Sequence, residues 1–349
     1  MINPLTHLLF LVAAWLVFAL TGSRRPSLVL AVFGAAFLAA YAPIAAMWIA
    51  FTCLEACLLV WWLKDEPRGG DLRQYLPYIL LLNLLFVDLH PQILLFSVDT
   101  LAISFSTIRI FMTAKQLLGL RSRLVWRELQ WIWAAAFYLP ALIVGPVFSG
   151  MELRKQAIAK AEPVVEAHTF RMLLTGLVTV LLINPWLSKF GRELTQPFHI
   201  LNLGPEGAPL YFVILFAGFY GQSLVAEYSS RLFGRTLPYN FDRPWRAANI
   251  RDFWQRWHRS MANFVMQYIF LPLNMRGARA QIATIAAFVF MGLWHNLSAG
   301  YFIWGLAHGC LLAFWPKNVE SALGKLAERI VTWAAVIGLS YIANYSWLA

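Results

Sequence analysis

Two dipeptides hold the chemistry this chain has to offer, Trp257-His258 and Trp294-His295. Histidine is the side chain whose unperturbed titration falls near neutral pH, so a positioned one can act as a general acid or base. His295 ends an almost purely apolar run, residues 285–295. A charged group inside a membrane costs roughly 2.5–3.5 kcal/mol on insertion scales, so such a residue is either compensated or used. Other chemistries leave no trace. There is no G-x-S-x-G elbow, no H-E-x-x-H, no phosphate-binding loop and no dinucleotide fingerprint. Cys53, Cys57 and Cys310 fall in apolar runs, at a spacing that fits neither a metal site nor a disulfide framework.

The elements that must position these histidines are membrane helices. Of the 349 residues, 60% are hydrophobic and 13% charged, with a mean hydropathy of +0.61. A soluble domain carries about 25% charged residues. Apolar runs near spanning length cover 5–21, 27–43, 45–63, 75–96, 100–117, 128–148, 171–188, 208–226, 281–297, 301–315 and 329–348. The expectation is an all-α polytopic protein of roughly ten transmembrane helices, forming a single multi-pass domain over 1–349. The first run lacks a basic leader and a small-residue cleavage site, so it is expected to be retained. The net charge of +11 sits largely in short connections at Arg24-Arg25, Lys64 to Arg73 and Lys115 to Arg127. The positive-inside rule makes these cytoplasmic and the N-terminus external. Part of the basic excess also suits an anionic cytoplasmic partner.

Residues 246–272 differ in kind from the spans. Phe253, Trp254, Trp257, His258, Met261, Phe264, Val265 and Tyr268 fall at helical spacing on one arc, and Arg251, Asp252, Arg256, Arg259 and Asn263 take the rest. That pattern predicts an amphipathic or re-entrant helix at an interface or lining a cavity, with His258 at the edge of the apolar arc, facing a polar cleft. Glu55, Asp88, His90, Asp99, Arg109, Glu227 and His308 also lie at apparent membrane depth. Each alone reads as a structural pair or helix end; together they suggest an aqueous cavity. Arg109 and Glu227 are candidate ion-pair members. His308, thirteen residues beyond His295, reads as structural, since that spacing along a helix turns it away.

These segments carry a family likeness. "NFDRPWRAANIRDFWQRWHRSMANFVMQYIFLPLN" (240–274) resembles a hallmark of membrane-bound O-acyltransferases, in the bacterial branch of alginate O-acetylases and teichoic-acid D-alanine transfer proteins. "GLWHNLSAGYFIWGLAHG" (292–309) is similar to the second hallmark, and "LPALIVGPVFSG" (139–150) to the family's Pro-x-x-x-x-Gly-Pro segment. The likeness covers about residues 100–315. Three departures stand out: Gln267 where relatives often carry Asp, Asn296 in place of a Gly, and a chain shorter than the branch implies.

The resemblance implies a central tunnel, with His295 catalytic and His258 nearby in it. A hydroxyl is a weak nucleophile and needs a base as it attacks an acyl carbonyl, a task histidine suits. The implied reaction moves an acyl group, acetyl foremost, from a cytoplasmic thioester to a hydroxyl of an extracytoplasmic envelope glycan. The donor is acyl-CoA or an acyl carrier protein with a phosphopantetheine arm, a co-substrate in place of any resident cofactor. Arg251, Arg256 and Arg259 suit its phosphates, with Trp254 and Trp257 beside them; contact with lipid headgroups is the plainer reading of the arginines. Asn296 is an oxyanion-side donor by adjacency alone. The expected partners are the donor, the glycan or a partner acyl-transfer protein, and membrane lipids, with no nucleic acid; the expected location is the bacterial cytoplasmic membrane. Two alternatives remain: D-alanyl or other acyl transfer from a carrier protein to a teichoic-acid-like polymer, and a non-enzymatic transporter or flippase, which would show paired halves that are not visible here.

Overall fold

A computed structural model describes residues 4–21, 25–67, 70–85, 98–120, 126–194, 205–316 and 321–343. Every regular element among them is helical. The α-helices are α1 Pro4–Thr21, α2 Pro26–Tyr41, α3 Pro43–Trp62, α4 Asp71–Tyr75, α5 Val98–Leu118, α6 Gln130–Ala136, α7 Gly150–Ile158, α8 Ala167–Val178, α9 Asn184–Leu194, α10 Ala208–Arg231, α11 Ile250–Arg256, α12 Arg259–Val265, α13 Leu271–Met275, α14 Ala280–His295, α15 Ala299–Phe314 and α16 Ala322–Ala343. Four helical stretches among the described residues are long and apolar enough to cross a membrane: Pro43–Asp65, Ala167–Lys189, Ala208–Arg231 and Ala322–Ala343. Four shorter apolar helices join them: Leu5–Thr21, Pro26–Tyr41, Ala280–His295 and Ala299–Phe314. The chain folds as two compact units, 1–177 with 222–238 and 178–221 with 239–349.

In the first unit, α2 and α3 each open on a proline, whose fixed φ suits a first helical turn. Two expected spans take another form there. Within 75–96, the described part is a 3-10 helix, Leu76–Leu84, with Pro77 in its first turn. Asp88 and His90, like Arg24 and the side chain of Asp99, lie outside the described residues. The run 128–148 is no single helix: α6 ends at Ala136, and the chain continues through a 3-10 turn, Leu139–Ala141, into irregular backbone up to α7. Pro140 and Pro146 cannot donate to a helical ladder, which is why an apolar run of spanning length breaks.

Backbone groups freed by that break need partners, and one face of α5 supplies them. Ser106 Oγ donates to Ala136 O at 2.7 Å, and Thr113 Oγ1 accepts from Gly150 N at 2.7 Å. Gln116 Oε1 accepts from Ser149 Oγ at 2.7 Å. Between them Arg109, fully buried, donates from Nη2 to Ala141 O and Pro146 O, with its guanidinium 4.8 Å from the Phe148 ring centroid. Arg109 therefore serves main-chain carbonyls, where the sequence had offered it as a candidate ion-pair member. α7 starts on a reciprocal cap between Ser149 and Glu152.

In the second unit, α14 and α15 pack as an antiparallel hairpin. Small residues let the backbones meet: a Cβ on Gly305 would stand 2.5 Å from Phe288 O, one on Gly309 2.8 Å from Ile285 Cα, and one on Gly292 would collide with the Tyr301 carbonyl. Close helix approach through small residues is how membrane helices gain contact where lipid offers no hydrophobic drive. α16 closes on the same hairpin, with Trp315 Nε1 donating to Glu328 Oε1 at 2.8 Å.

Candidate active site

The expected amphipathic helix 246–272 is three pieces. α11 stops at Arg256, Trp257 and His258 form a bend, α12 follows, and a π-helical turn, Met266–Phe270, leads into α13. The apolar set read from the sequence is buried throughout, from Met261 at 0% to Trp257 and Tyr268 at 9% exposure, so the pattern was sound where the continuous helix was not.

His258 is the pivot. Its φ of 44° and ψ of 49° lie in the left-handed region, which costs a residue with a Cβ about 1–2 kcal/mol. Asn249 caps α11 by accepting from Asp252 N at 3.0 Å. At the bend, residues 240–242 take up the freed groups: Asp242 N donates to Arg256 O at 2.9 Å, and Arg259 N donates to Asn240 O at 2.9 Å. Ser260 Oγ donates to Asn240 Oδ1 at 2.5 Å. Strain held by surrounding hydrogen bonds is typical of functional positions. The His258 ring is buried, edge-on to Phe219 at 4.7 Å and 6.1 Å from Trp294. The break removes the single helical arc on which the expected placement of His258 rested.

His295 is the last residue of α14 and is partly accessible. Its ring stacks on Tyr301 at 5.5 Å and lies 5.7 Å from Trp304, both on α15. Trp294 touches both histidines, 4.6 Å from His295 and 6.1 Å from His258, and the two imidazoles lie within electrostatic reach of each other. Asn296 caps α14 through its backbone, with N to Gly292 O at 3.3 Å. Because the chain turns back at 296–298, residue counting along one helix does not apply to His308. It sits 4.8 Å from Trp304, inside the same aromatic cluster as His295.

A cavity of about 790 Å³ opens beside this cluster, with Arg251, Arg256, Arg259, Asp242 and Asp252 among its lining. Its apolar wall includes Trp254, Val265, Phe288 and Met291. The three arginines are not equivalent. Arg256 pairs with Asp252 at 2.6 Å and with Asp242 at 3.8 Å. Arg251 donates to Leu312 O at 3.2 Å and Trp315 O at 3.3 Å, at the end of α15. The Arg259 side chain is exposed and makes no ion pair or hydrogen bond with the described residues. Trp254 links cavity and histidines, 5.6 Å from Trp304 and 5.1 Å from His308. Trp257 belongs elsewhere, in a cage of Phe212, Phe216, Phe241 and Phe253 at 5.1–5.5 Å. Sequence reasoning missed Asn240 and Trp304. The first acts from a distance along the chain; the second lay inside the quoted Trp-Gly-Leu segment and only lacked a role.

A model of the membrane-bound O-acyltransferase family matches residues 128–318, both histidine segments included. The chain is 27% identical over 224 residues to a peptidoglycan O-acetyltransferase of Helicobacter pylori, over 60% of this chain and 42% of that protein. It is 34% identical over 112 residues to a teichoic acid D-alanyltransferase of Bacillus subtilis, over 29% and 28% of the two chains. It is 33% identical over 129 residues to a probable alginate O-acetylase of Pseudomonas aeruginosa, over 36% and 24%. The chain spans less than half the length of these relatives.

Proposed function

Since the chain belongs to the membrane-bound O-acyltransferase family, we propose that it moves an acyl group, acetyl foremost, from a cytoplasmic thioester to a hydroxyl of an extracytoplasmic envelope glycan. The observation that carries this reading is a half-buried histidine, His295, held by a glycine-packed hairpin and joined through Trp304 and Trp254 to an arginine-rimmed cavity. Relatives that acetylate peptidoglycan and alginate by name support it.

In this reading His295 takes the acceptor's proton as the hydroxyl oxygen attacks the thioester carbonyl. The tetrahedral intermediate collapses, the C–S bond breaks, and the imidazolium returns its proton to the leaving sulfur. An ester has formed, a thiol has left, and the histidine is neutral again. A positioned base of this kind contributes ~10²–10⁴-fold. His258 acts behind it, through Trp294, on the geometry of that step. Arg259 takes a phosphate of the donor, and a passage reaching both membrane faces keeps donor and acceptor on opposite sides. The site lies in the cytoplasmic membrane of a bacterium.

One observation favours a carrier-linked donor as the second reading. Two carboxylates, Asp242 and Asp252, stand against the three rim arginines, which leaves charge for a single phosphodiester more readily than for the several phosphate charges of coenzyme A. A teichoic acid D-alanyltransferase among the relatives accords with it.

The test is purified protein in liposomes, offered acetyl-CoA, acetyl carrier protein or D-alanyl carrier protein with an envelope glycan, and assayed for free thiol. Acceptor-dependent thiol release from any of them is the expected result. Silence from all three returns the chain to the transporter reading.

A further inference from the structure

Beyond the rim, two buried nitrogens have no hydrogen-bond partner among the described residues: Trp254 Nε1 and His308 Nδ1. Trp254 is 8% exposed and His308 1%. Their rings meet edge to face at a centroid distance of 5.1 Å. Leaving a buried donor or acceptor unmet costs about 1–3 kcal/mol each, and the two rings adjoin, Trp254 in the cavity wall and His308 behind it, so one ligand that meets both would offset that cost.

The chemistry of that ligand follows from the two groups. An indole N–H only donates, and a neutral imidazole nitrogen that carries no proton accepts. A neutral group that carries both an acceptor and a donor meets the pair; a hydroxyl does so, and so does a secondary amide. Its surroundings agree: Phe288 lies 5.1 Å from Trp254, and Trp304 lies 4.8 Å from His308, so a charged group would be poorly hosted and a flat amide well hosted.

Ring contacts then give an order: the arginines share the cavity wall with Trp254, Trp254 meets His308 and Trp304, and Trp304 meets His295. A phosphopantetheine arm carries its groups in the same order: phosphate, amides, thioester. We propose that Trp254 and His308 form an amide-binding station for the arm of the thioester donor, with Trp254 Nε1–H donating to the amide carbonyl and His308 Nδ1 accepting from the amide N–H. This rests on the acyl-transfer reading above and gives it a donor class, since a thioester without an amide would leave both nitrogens unmet. His308, read from the sequence as structural, becomes a donor-binding residue.

The experiment uses the full chain in detergent. Equilibrium binding of S-methylpantetheine, which keeps both amides and has no acyl group to transfer, is measured for wild type, Trp254→Phe and His308→Phe. Both substitutions keep an aromatic ring and remove the nitrogen. At least a fivefold rise in Kd for each variant, with the melting temperature held, is expected; an unchanged Kd in a folded variant overturns the station. Should one variant fail to fold, the other decides alone. Turnover is compared in parallel for N,S-diacetylcysteamine, which has an amide, and S-ethyl thioacetate, which has none. The wild type should prefer the first by at least tenfold, and equal kcat/KM for the two would also overturn the proposal. Binding of S-methylpantetheine without turnover of any thioester would sink the acyl-transfer reading and leave the amide station standing.

Discussion

Ser260 Oγ donates a hydrogen bond to Asn240 Oδ1 at 2.5 Å, and through that bond a residue 20 positions back in the chain helps to hold the bend at which His258 stands. Asn240→Ala removes the side-chain half of this clamp while the backbone half, Arg259 N to Asn240 O, survives. Both residues are buried, at 0% and 2% exposure, so loss of that hydrogen bond should cost about 0.5–1.5 kcal/mol. Thermal unfolding should register that loss, and acyl transfer should fall as His258 loses its position. An undisturbed melting temperature would mean the bend holds without the clamp.

For the two histidines the expected effects are unequal. His295→Ala should lose most turnover while the protein still folds and binds donor, and His295→Gln should do no better, because an amide cannot take the proton. His258→Ala should lose less, on the order of 1–3 kcal/mol of transition-state stabilisation. Acyl transfer by the three variants, with unfolding as a control, checks this. Near-normal transfer by folded His295→Ala would remove it from the chemistry.

The rim arginines should separate by assay. Arg259→Gln should raise the donor KM and leave stability alone, since the side chain has no partner among the described residues to lose. Arg251→Gln should lower stability by about 1 kcal/mol, through the carbonyls of Leu312 and Trp315 that it serves. Donor binding should weaken with salt. If Arg259→Gln leaves KM where it was, that side chain answers to lipid headgroups instead.

Two glycines make a matched pair. Gly305→Ala places a methyl 2.5 Å from Phe288 O and 2.9 Å from Val289 Cα, backbone atoms that cannot step aside. It should prise α14 from α15 and abolish activity along with much of the thermal stability. Gly338, in α16, has nothing within 4 Å of a built Cβ. There Ala should stabilise the helix by about 0.5–1 kcal/mol. Activity surviving Gly305→Ala would show that the hairpin tolerates a wider gap than its backbone contacts allow.

Topology is open to reporters. Fusions after Ser27 and after Asp71 should both read cytoplasmic, from the basic bias of the early connections. An external reading from either would revise how the first unit threads the membrane.

What the sequence revealed and what it hid divide along physical lines. His295 was legible because an apolar run makes a titratable group conspicuous, and the buried face of 253–268 because burial leaves a periodicity. The bend at His258 was not legible: its left-handed backbone is imposed by Asn240 and Asp242, and an arc drawn on an unbroken helix cannot show it. Arg109 looked like half of an ion pair because its true partners are carbonyls of a broken helix, which carry no residue type. That break itself was announced by Pro140 and Pro146, and apolar length outvoted them. The nearness of His308 to the His295 cluster was not legible, because counting along one helix ignores a hairpin turn.

The hairpin that carries His295 has a further consequence. Each of its helices has 16 residues and rises about 24 Å, whereas the hydrocarbon layer of a bilayer is about 30 Å deep. With its open end level with one surface, the tip bearing His295 stops about 6 Å short of the other. Lipids around so short a pair must compress toward it, at a cost of fractions of a kcal/mol per ångström. Crossing the bilayer, such a pair would set His295 beneath a thinned layer of lipid.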